Sequence, residues 1–115
     1  MHSERQDYIL RLIEQLGAVL RRLLEMLGLG RAAAPQVVRD AQAAQEALLG
    51  PLALSAPLVD APAAVRLMND PRRVRLWIEF LRVEAAAMRL QEEEERAAAL
   101  EARADALERA MGGAP

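Results

Sequence analysis

The first quarter of the chain carries hydrophobic residues at alternating steps of three and four, the spacing that places side chains on one face of an α-helix. The repeat predicts helix one over residues 3–29 and consists of Ile9, Ile13, Leu16, Leu20, Leu23 and Leu27. Further apolar residues flank this seam, so the apolar arc exceeds half the circumference. A two-stranded coiled coil needs only a narrow seam, so we expect more than one neighbour to cover helix one.

Capping signals place the first two helices. Ser3 and Gln6 have the spacing of a capping box at the start of helix one, and Gly28 supplies a stop. Helix two is predicted over residues 35–49, because proline is tolerated at the first helical position. Its inward stripe is mostly alanine, which allows close approach to helix one.

Residues 50–69 contain three prolines but keep several apolar side chains, among them Leu54, Leu58 and Val59. We interpret this stretch as a connector tucked against the core, with one short helix after Pro62.

Residues 70–111 form the last predicted unit. Asp70 has the position of an N-cap and Pro71 that of a first-turn proline. The helix that follows is apolar on two sides and holds the only Trp and the only Phe of the chain, so we expect it to be central and largely buried.

The phase of the hydrophobic stripe favours a break near residues 91–94. A single helix from Pro71 to Met111 would be about 60 Å long at 1.5 Å per residue. Continuing its seam would place Glu94, Glu101 and Glu108 on the apolar face, whereas the last segment uses a rotated stripe. We therefore predict an antiparallel helical hairpin, with one long helix as the alternative.

Together these elements predict an all-α fold: a small helical bundle of about four main helices plus a short connector helix, ending in a hairpin. We expect the 115 residues to form a single domain, 1–115, because each half alone would be too small to hold a core.

Composition narrows the function classes. Hydrophobic residues make up 53% and charged residues 28%, with a net charge of −2. A balance this close to neutral predicts no general attraction to nucleic acid or to an anionic membrane. No apolar run approaches the ~20 residues of a membrane span, and Glu4, Arg5 and Asp7 at the N-terminus do not form a signal peptide. We therefore expect a cytoplasmic location and no membrane contact.

The chain offers little material for catalysis. It has one His, two Ser and one Tyr, and lacks Cys, Lys and Thr, so nucleophile–base pairs are hard to assemble. It has neither the Glu-x-x-His motif of di-metal bundles nor a glycine-rich phosphate loop. We predict that it is not an enzyme and uses no cofactor or metal.

Arginines form a stripe along the first helix of the hairpin, at Arg72, Arg75, Arg82 and Arg89. This arginine stripe could bind an acidic partner or a phosphate backbone. The alternative, which we favour, is a solvated edge whose arginines pair with Glu79, Glu84, Glu93 or the acidic last helix. No exposed aromatic residue accompanies the arginines, which disfavours nucleic acid further.

The wide apolar arc of helix one also predicts an oligomer face, formed by Ile9, Ile13, Leu16, Leu20 and Leu23. A homodimer would bury the spare side chains, with Gly17 permitting close approach. In the alternative, the connector covers this face and the chain stays monomeric.

Two stretches carry a family resemblance. Residues 6–16 read Q-D-Y-I-L-R-L-I-E-Q-L and resemble the opening helix of an uncharacterised bacterial domain-of-unknown-function family. That family closes with a tetratricopeptide-like helical hairpin, and residues 70–110 are similar to it, although Gln91 and Glu92 stand where the repeat usually has glycine. The resemblance implies a fold and no activity.

Our leading hypothesis is a non-catalytic helical protein-interaction or adaptor module with a protein partner. A self-assembling structural protein is the alternative, and a nucleic-acid accessory protein ranks third.

Overall fold

The structure is a computed structural model that describes residues 4–112, and within this range it contains α-helices and no strand. The helices are α1 (Glu4–Leu27), α2 (Ala34–Leu49), α3 (Ala61–Met68), α4 (Pro71–Leu90) and α5 (Glu94–Gly112). The all-α prediction is confirmed: four long helices form a bundle, and α3 is the short helix of the connector.

Helix α4 is the centre of the bundle. It packs most extensively against α5 and next against α2, and it also contacts α1 and α3. Val74, Ile78 and Phe80 are fully buried and Trp77 is nearly so. A helix that is apolar on two sides needs neighbours on both sides, and the other helices supply them.

The start of α4 follows the predicted cap, and the structure adds a cap at the start of α3 that was not predicted. Asp70 Oδ1 accepts a hydrogen bond from the backbone N–H of Arg72 at 2.9 Å, and Asp60 Oδ1 accepts one from the N–H of Ala63 at 2.9 Å. Such bonds satisfy backbone donors that have no partner within the helix. The second cap starts α3 at Ala61, one residue before Pro62. The predicted cap at Ser3 lies outside the described residues.

A tight turn separates α4 from α5, at the place where the hydrophobic stripe rotates. The N–H of Glu93 donates to the carbonyl oxygen of Met88 at 2.9 Å, and the N–H of Glu92 donates to that of Arg89 at 2.9 Å. These two bonds form a Schellman motif, whose C′ residue adopts a left-handed conformation. Glu92 occupies that position with φ 63°. Glycine would be unstrained there.

The part of the connector that precedes α3 packs against the core along only part of its length. It consists of two 3-10 stretches, Gly50–Leu54 and Ala56–Leu58. Ala56 is fully buried, but Leu54 and Leu58 are 87% and 83% exposed. Successive side chains of so short a helix point in different directions, so part of its apolar surface faces solvent.

The structure shows how far the helix-one seam is covered by the chain's own helices. Leu16 and Leu23 are buried in the chain's own core, and Ile13 and Leu20 are half-buried against it, because α2 and α4 both pack on α1. Ile9 is half-buried as well. The centre of the seam is therefore covered within one chain by α2 and α4, and its role as an oligomer face stays a prediction. The exposed apolar residues of α1 lie elsewhere, at Tyr8, Leu10 and Leu24.

Candidate interaction groove

A surface groove of about 470 Å³ runs between α2 and α5, with α4 as its floor. We call it the α2–α5 groove. The floor is apolar, and it includes Trp77 and Leu81 of α4 beside Leu49 of α2. The rest of the lining is Gln42, Gln45, Glu46, Ala53, Pro57, Glu84, Ala99, Leu100 and Arg103. Apolar floors with a few polar groups are typical of binding clefts.

The carboxylate of Glu84 is the most unusual group in this groove. The residue is only 5% exposed, although it is charged. Oε2 accepts a hydrogen bond from Gln42 Nε2 at 3.0 Å, and Oε1 accepts one from Gln45 Nε2 at 2.7 Å. No cationic side chain between residues 4 and 112 forms an ion pair with it. The two amides satisfy the oxygens, but the charge remains uncompensated.

Arg103 of α5 closes the opposite side of the groove. Its guanidinium lies 5.6 Å from the centroid of the Trp77 ring, within the range of a cation–π interaction. Its Nη2 also donates to the carbonyl oxygen of Ala56 in the connector at 2.9 Å. Burial lowers the pKa of Arg103, and Asp60 opposes that effect. Arg103 therefore holds α5, α4 and the connector together and is not free to neutralise Glu84.

The arginine stripe is largely paired, in agreement with the favoured interpretation. Arg82 Nη2 lies 3.0 Å from Asp105 Oδ1 and 2.5 Å from Glu108 Oε1. Arg89 forms a two-pronged pair with Glu101 at 2.6 Å for each bond, and its Nε lies 3.2 Å from Glu94 Oε2. These pairs join α4 to the acidic face of α5.

The other two members of the stripe differ from each other. Arg72 pairs with the cap residue Asp70, its Nη2 lying 3.0 Å from Oδ2. Arg75 is exposed and makes no ion pair with any residue of the range 4–112. The stripe therefore is not a continuous row of free cations.

Sequence reasoning assigned Glu84 to the arginine stripe as a pairing partner, and the structure places it on a different side of α4. A signal was present in the sequence, because Glu84 stands between Val83 and Ala85, which are both buried. A charged residue inside an apolar run suggests a buried polar contact. The identity of its partners required α2 to be docked.

Within residues 4–112, no group of three or more His, Cys, Asp or Glu side chains is arranged to hold a metal ion. None of the described helices is long and apolar enough to cross a membrane.

Comparison with family models, with curated proteins and with solved structures finds no match to this chain.

Proposed function

We propose that this protein is a non-catalytic interaction module whose α2–α5 groove binds a segment of a partner protein carrying an apolar side chain and a cationic one. The observation that carries this proposal is the buried carboxylate of Glu84, which borders an apolar groove and forms no ion pair with any residue of the range 4–112.

The charge balance of the groove favours a basic segment. Glu46 and Glu84 line the α2 and α4 side, and Glu46 is exposed. The single arginine of the groove, Arg103, is already engaged with Trp77 and with the carbonyl oxygen of Ala56. A Lys or Arg side chain entering the groove would supply the missing counter-charge in a partly desolvated place, where charge-assisted hydrogen bonds are strong.

The shape of the groove favours a peptide segment over a flat protein surface. A volume of about 470 Å³ accommodates a few side chains, and the walls are two helices. Helical grooves commonly hold a partner segment through a small number of anchors at regular spacing.

Two neighbouring alanines on α5 allow a matched test. Ala99 lines the groove and Ala98 does not, and both are exposed. The full chain, the Ala99→Arg variant and the Ala98→Arg variant would be used to select from a displayed peptide library and to capture partners from the source cell. Circular dichroism would check that all three are equally helical.

We expect the wild type and Ala98→Arg to enrich basic–apolar peptides and to retain the same partner, and Ala99→Arg to lose both. Equal binding by all three proteins would place the partner outside the groove. Selection of acidic peptides, or of none, would contradict the proposed chemistry.

Self-assembly is the second candidate, and the exposed apolar side chains of α1 are the observation that favours it. Tyr8, Leu10 and Leu24 lie on the surface of that helix. Light scattering over a wide range of protein concentration, for the wild type and Leu24→Gln, would test it. A wild-type dimer that becomes a monomer in Leu24→Gln would support assembly through this surface. A mass of one chain at every concentration would rule out self-assembly.

The third candidate, a nucleic-acid accessory role, gains no support. Arg72, Arg82 and Arg89 pair with carboxylates of the chain itself and do not present a row of free cations to a phosphate backbone.

A further inference from the structure

A second cavity, of about 820 Å³, lies at the opposite end of α4 from the hairpin turn, where the first turns of α1 and α4 meet. Four arginines line it: Arg5, Arg66, Arg72 and Arg73. We call it the arginine cavity. Asp70 is the only carboxylate among its described lining residues, and it is engaged by Arg72 and by the N–H that it caps. In a chain with a net charge of −2, this is a local excess of positive charge.

At the start of α4, this excess of positive charge opposes the intrinsic preference of the helix. The N-terminus of a helix carries partial positive charge, so cations in the first turn are unfavourable and anions are favourable. Arg5 lies in the first turn of α1, and Arg72 and Arg73 lie in the first turn of α4. The first turn of α1 also holds Glu4 and Asp7, which suit its positive end, so the unfavourable cations are Arg72 and Arg73 of α4.

Arg73 lines the cavity and is only 8% exposed. Its Nη2 donates to the carbonyl oxygen of Leu48 at 2.7 Å and, at 3.5 Å, to that of Leu49. Its Nε is buried and has no hydrogen-bond partner among the described residues. Burial lowers the pKa of Arg73, and the cation of Arg5 lowers it further, although Asp70 acts in the opposite direction. The guanidinium is therefore held in a poorly solvated position, with one of its nitrogens unpartnered.

We propose that the arginine cavity binds a small-molecule ligand through a dianionic oxyanion group, with a phosphate monoester as the chemical class. Such a group would receive donors from the exposed Arg5 and Arg66 and would lie in the field of the buried Arg73 and of the α4 N-terminus. The volume is within the usual range for small-ligand pockets. The site is separate from the α2–α5 groove and does not depend on the function proposed for it.

The test uses the full chain and three soluble probes at constant ionic strength: inorganic phosphate, glycerol 3-phosphate and chloride. Titration calorimetry should show saturable binding of both phosphate probes and none of chloride. The affinity should fall as sodium chloride is raised, because the interaction is between charges.

The Arg5→Gln/Arg66→Gln variant removes two exposed cations that line the cavity. We expect it to bind the phosphate probes at least about tenfold more weakly, since each lost charge-assisted hydrogen bond weakens binding by about that factor or more. The control, Arg22→Gln/Arg109→Gln, removes two exposed arginines elsewhere and should bind as the wild type does.

Equal phosphate affinity in all three proteins, or no saturable binding in the wild type, would overturn the proposal. Anionic phospholipid vesicles provide the last arm, because a lipid headgroup offers the same chemistry as a soluble ester. Binding to vesicles without binding to glycerol 3-phosphate would exclude a small-molecule ligand.

Discussion

The charged side chains on the two sides of α4 differ in their burial and in their partners. Toward α2, the helix buries Arg73 and Glu84, each held by neutral groups: backbone carbonyls in one case and side-chain amides in the other. Toward α5, it presents Arg82 and Arg89 at a partly exposed edge, where each pairs with carboxylates. Buried charges are costly to leave without partners, whereas exposed pairs contribute little. We therefore expect the buried charges toward α2 to affect the free energy of unfolding more than the ion pairs toward α5 do.

Truncation of Arg73 should therefore have the largest effect. Arg73→Ala leaves the last carbonyls of α2 without their donor and opens a cavity beside the core. We expect a loss of about 3 kcal/mol or more in the free energy of unfolding, measured by urea denaturation. The exposed Arg75→Ala on the same helix is the control and should change stability by no more than about 0.5 kcal/mol. Similar stabilities for the two variants would show that burial of Arg73 does not matter to folding.

Glu84→Ala should have the next largest effect. It removes the acceptor of two charge-assisted hydrogen bonds, but it also removes a buried charge, so we expect a loss of about 1–3 kcal/mol in the same urea measurement. Glu46→Ala, at an exposed carboxylate of the same groove, should stay within about 0.5 kcal/mol of the wild type. If the Glu84→Ala protein were more stable than the wild type, the buried carboxylate would lower the free energy of unfolding, and the expected difference between the two sides of α4 would be wrong.

The turn that joins α4 to α5 offers a stabilising change. Glu92→Gly places glycine at the left-handed position of the Schellman motif and should raise the free energy of unfolding by about 0.5–1 kcal/mol. The ion pair that it removes joins Arg31 and Glu92 at 3.2 Å and is highly exposed. Such a pair contributes little. Glu93→Gly is the control and should destabilise the protein or leave it unchanged. A destabilised Glu92→Gly would mean that the ion pair matters more than the backbone.

The ion pair between Arg89 and Glu101 should have the smallest effect on the free energy of unfolding. Its effect should also depend most on pH and salt. Hydrogen bonds from Arg89 lower the pKa of Glu101 below its ordinary value of 4.5. A carboxyl with a lowered pKa in the folded state contributes stability above its ordinary pKa and loses it as the pH falls through the folded value. The stability difference between the wild type and Arg89→Ala should therefore shrink below about pH 4.5 and in high salt. A difference that is constant from about pH 7 to about pH 3 would argue against a role for this pair.

Local signals in the sequence were sufficient for the helices. Asp70 and Pro71 mark the start of α4 through interactions within one turn, and the rotated stripe after Leu90 marks its end. Capping and periodicity involve residues that are neighbours in the chain, so they can be predicted without the fold. Glu92 shows the limit of such rules, because the motif forms there without the expected glycine.

The candidate sites were much less predictable. The arginine stripe was visible as a pattern, but whether its members were free depended on how α5 docks. The helix-one seam was likewise visible as apolar, but the burial of Leu16 and Leu23 by α2 and α4 within one chain depended on how these helices dock.

By itself, the sequence determined that this protein is all-α, where most of its helices begin and end, and that the helix holding Trp77 is central. Only the tertiary structure decided that Arg73 and Glu84 are buried, that Leu54 and Leu58 are not, and that four arginines line one cavity. The physical reason is range. Hydrogen bonds of caps and turns act between residues a few positions apart, whereas the burial of a charge depends on helices that meet from distant parts of the chain.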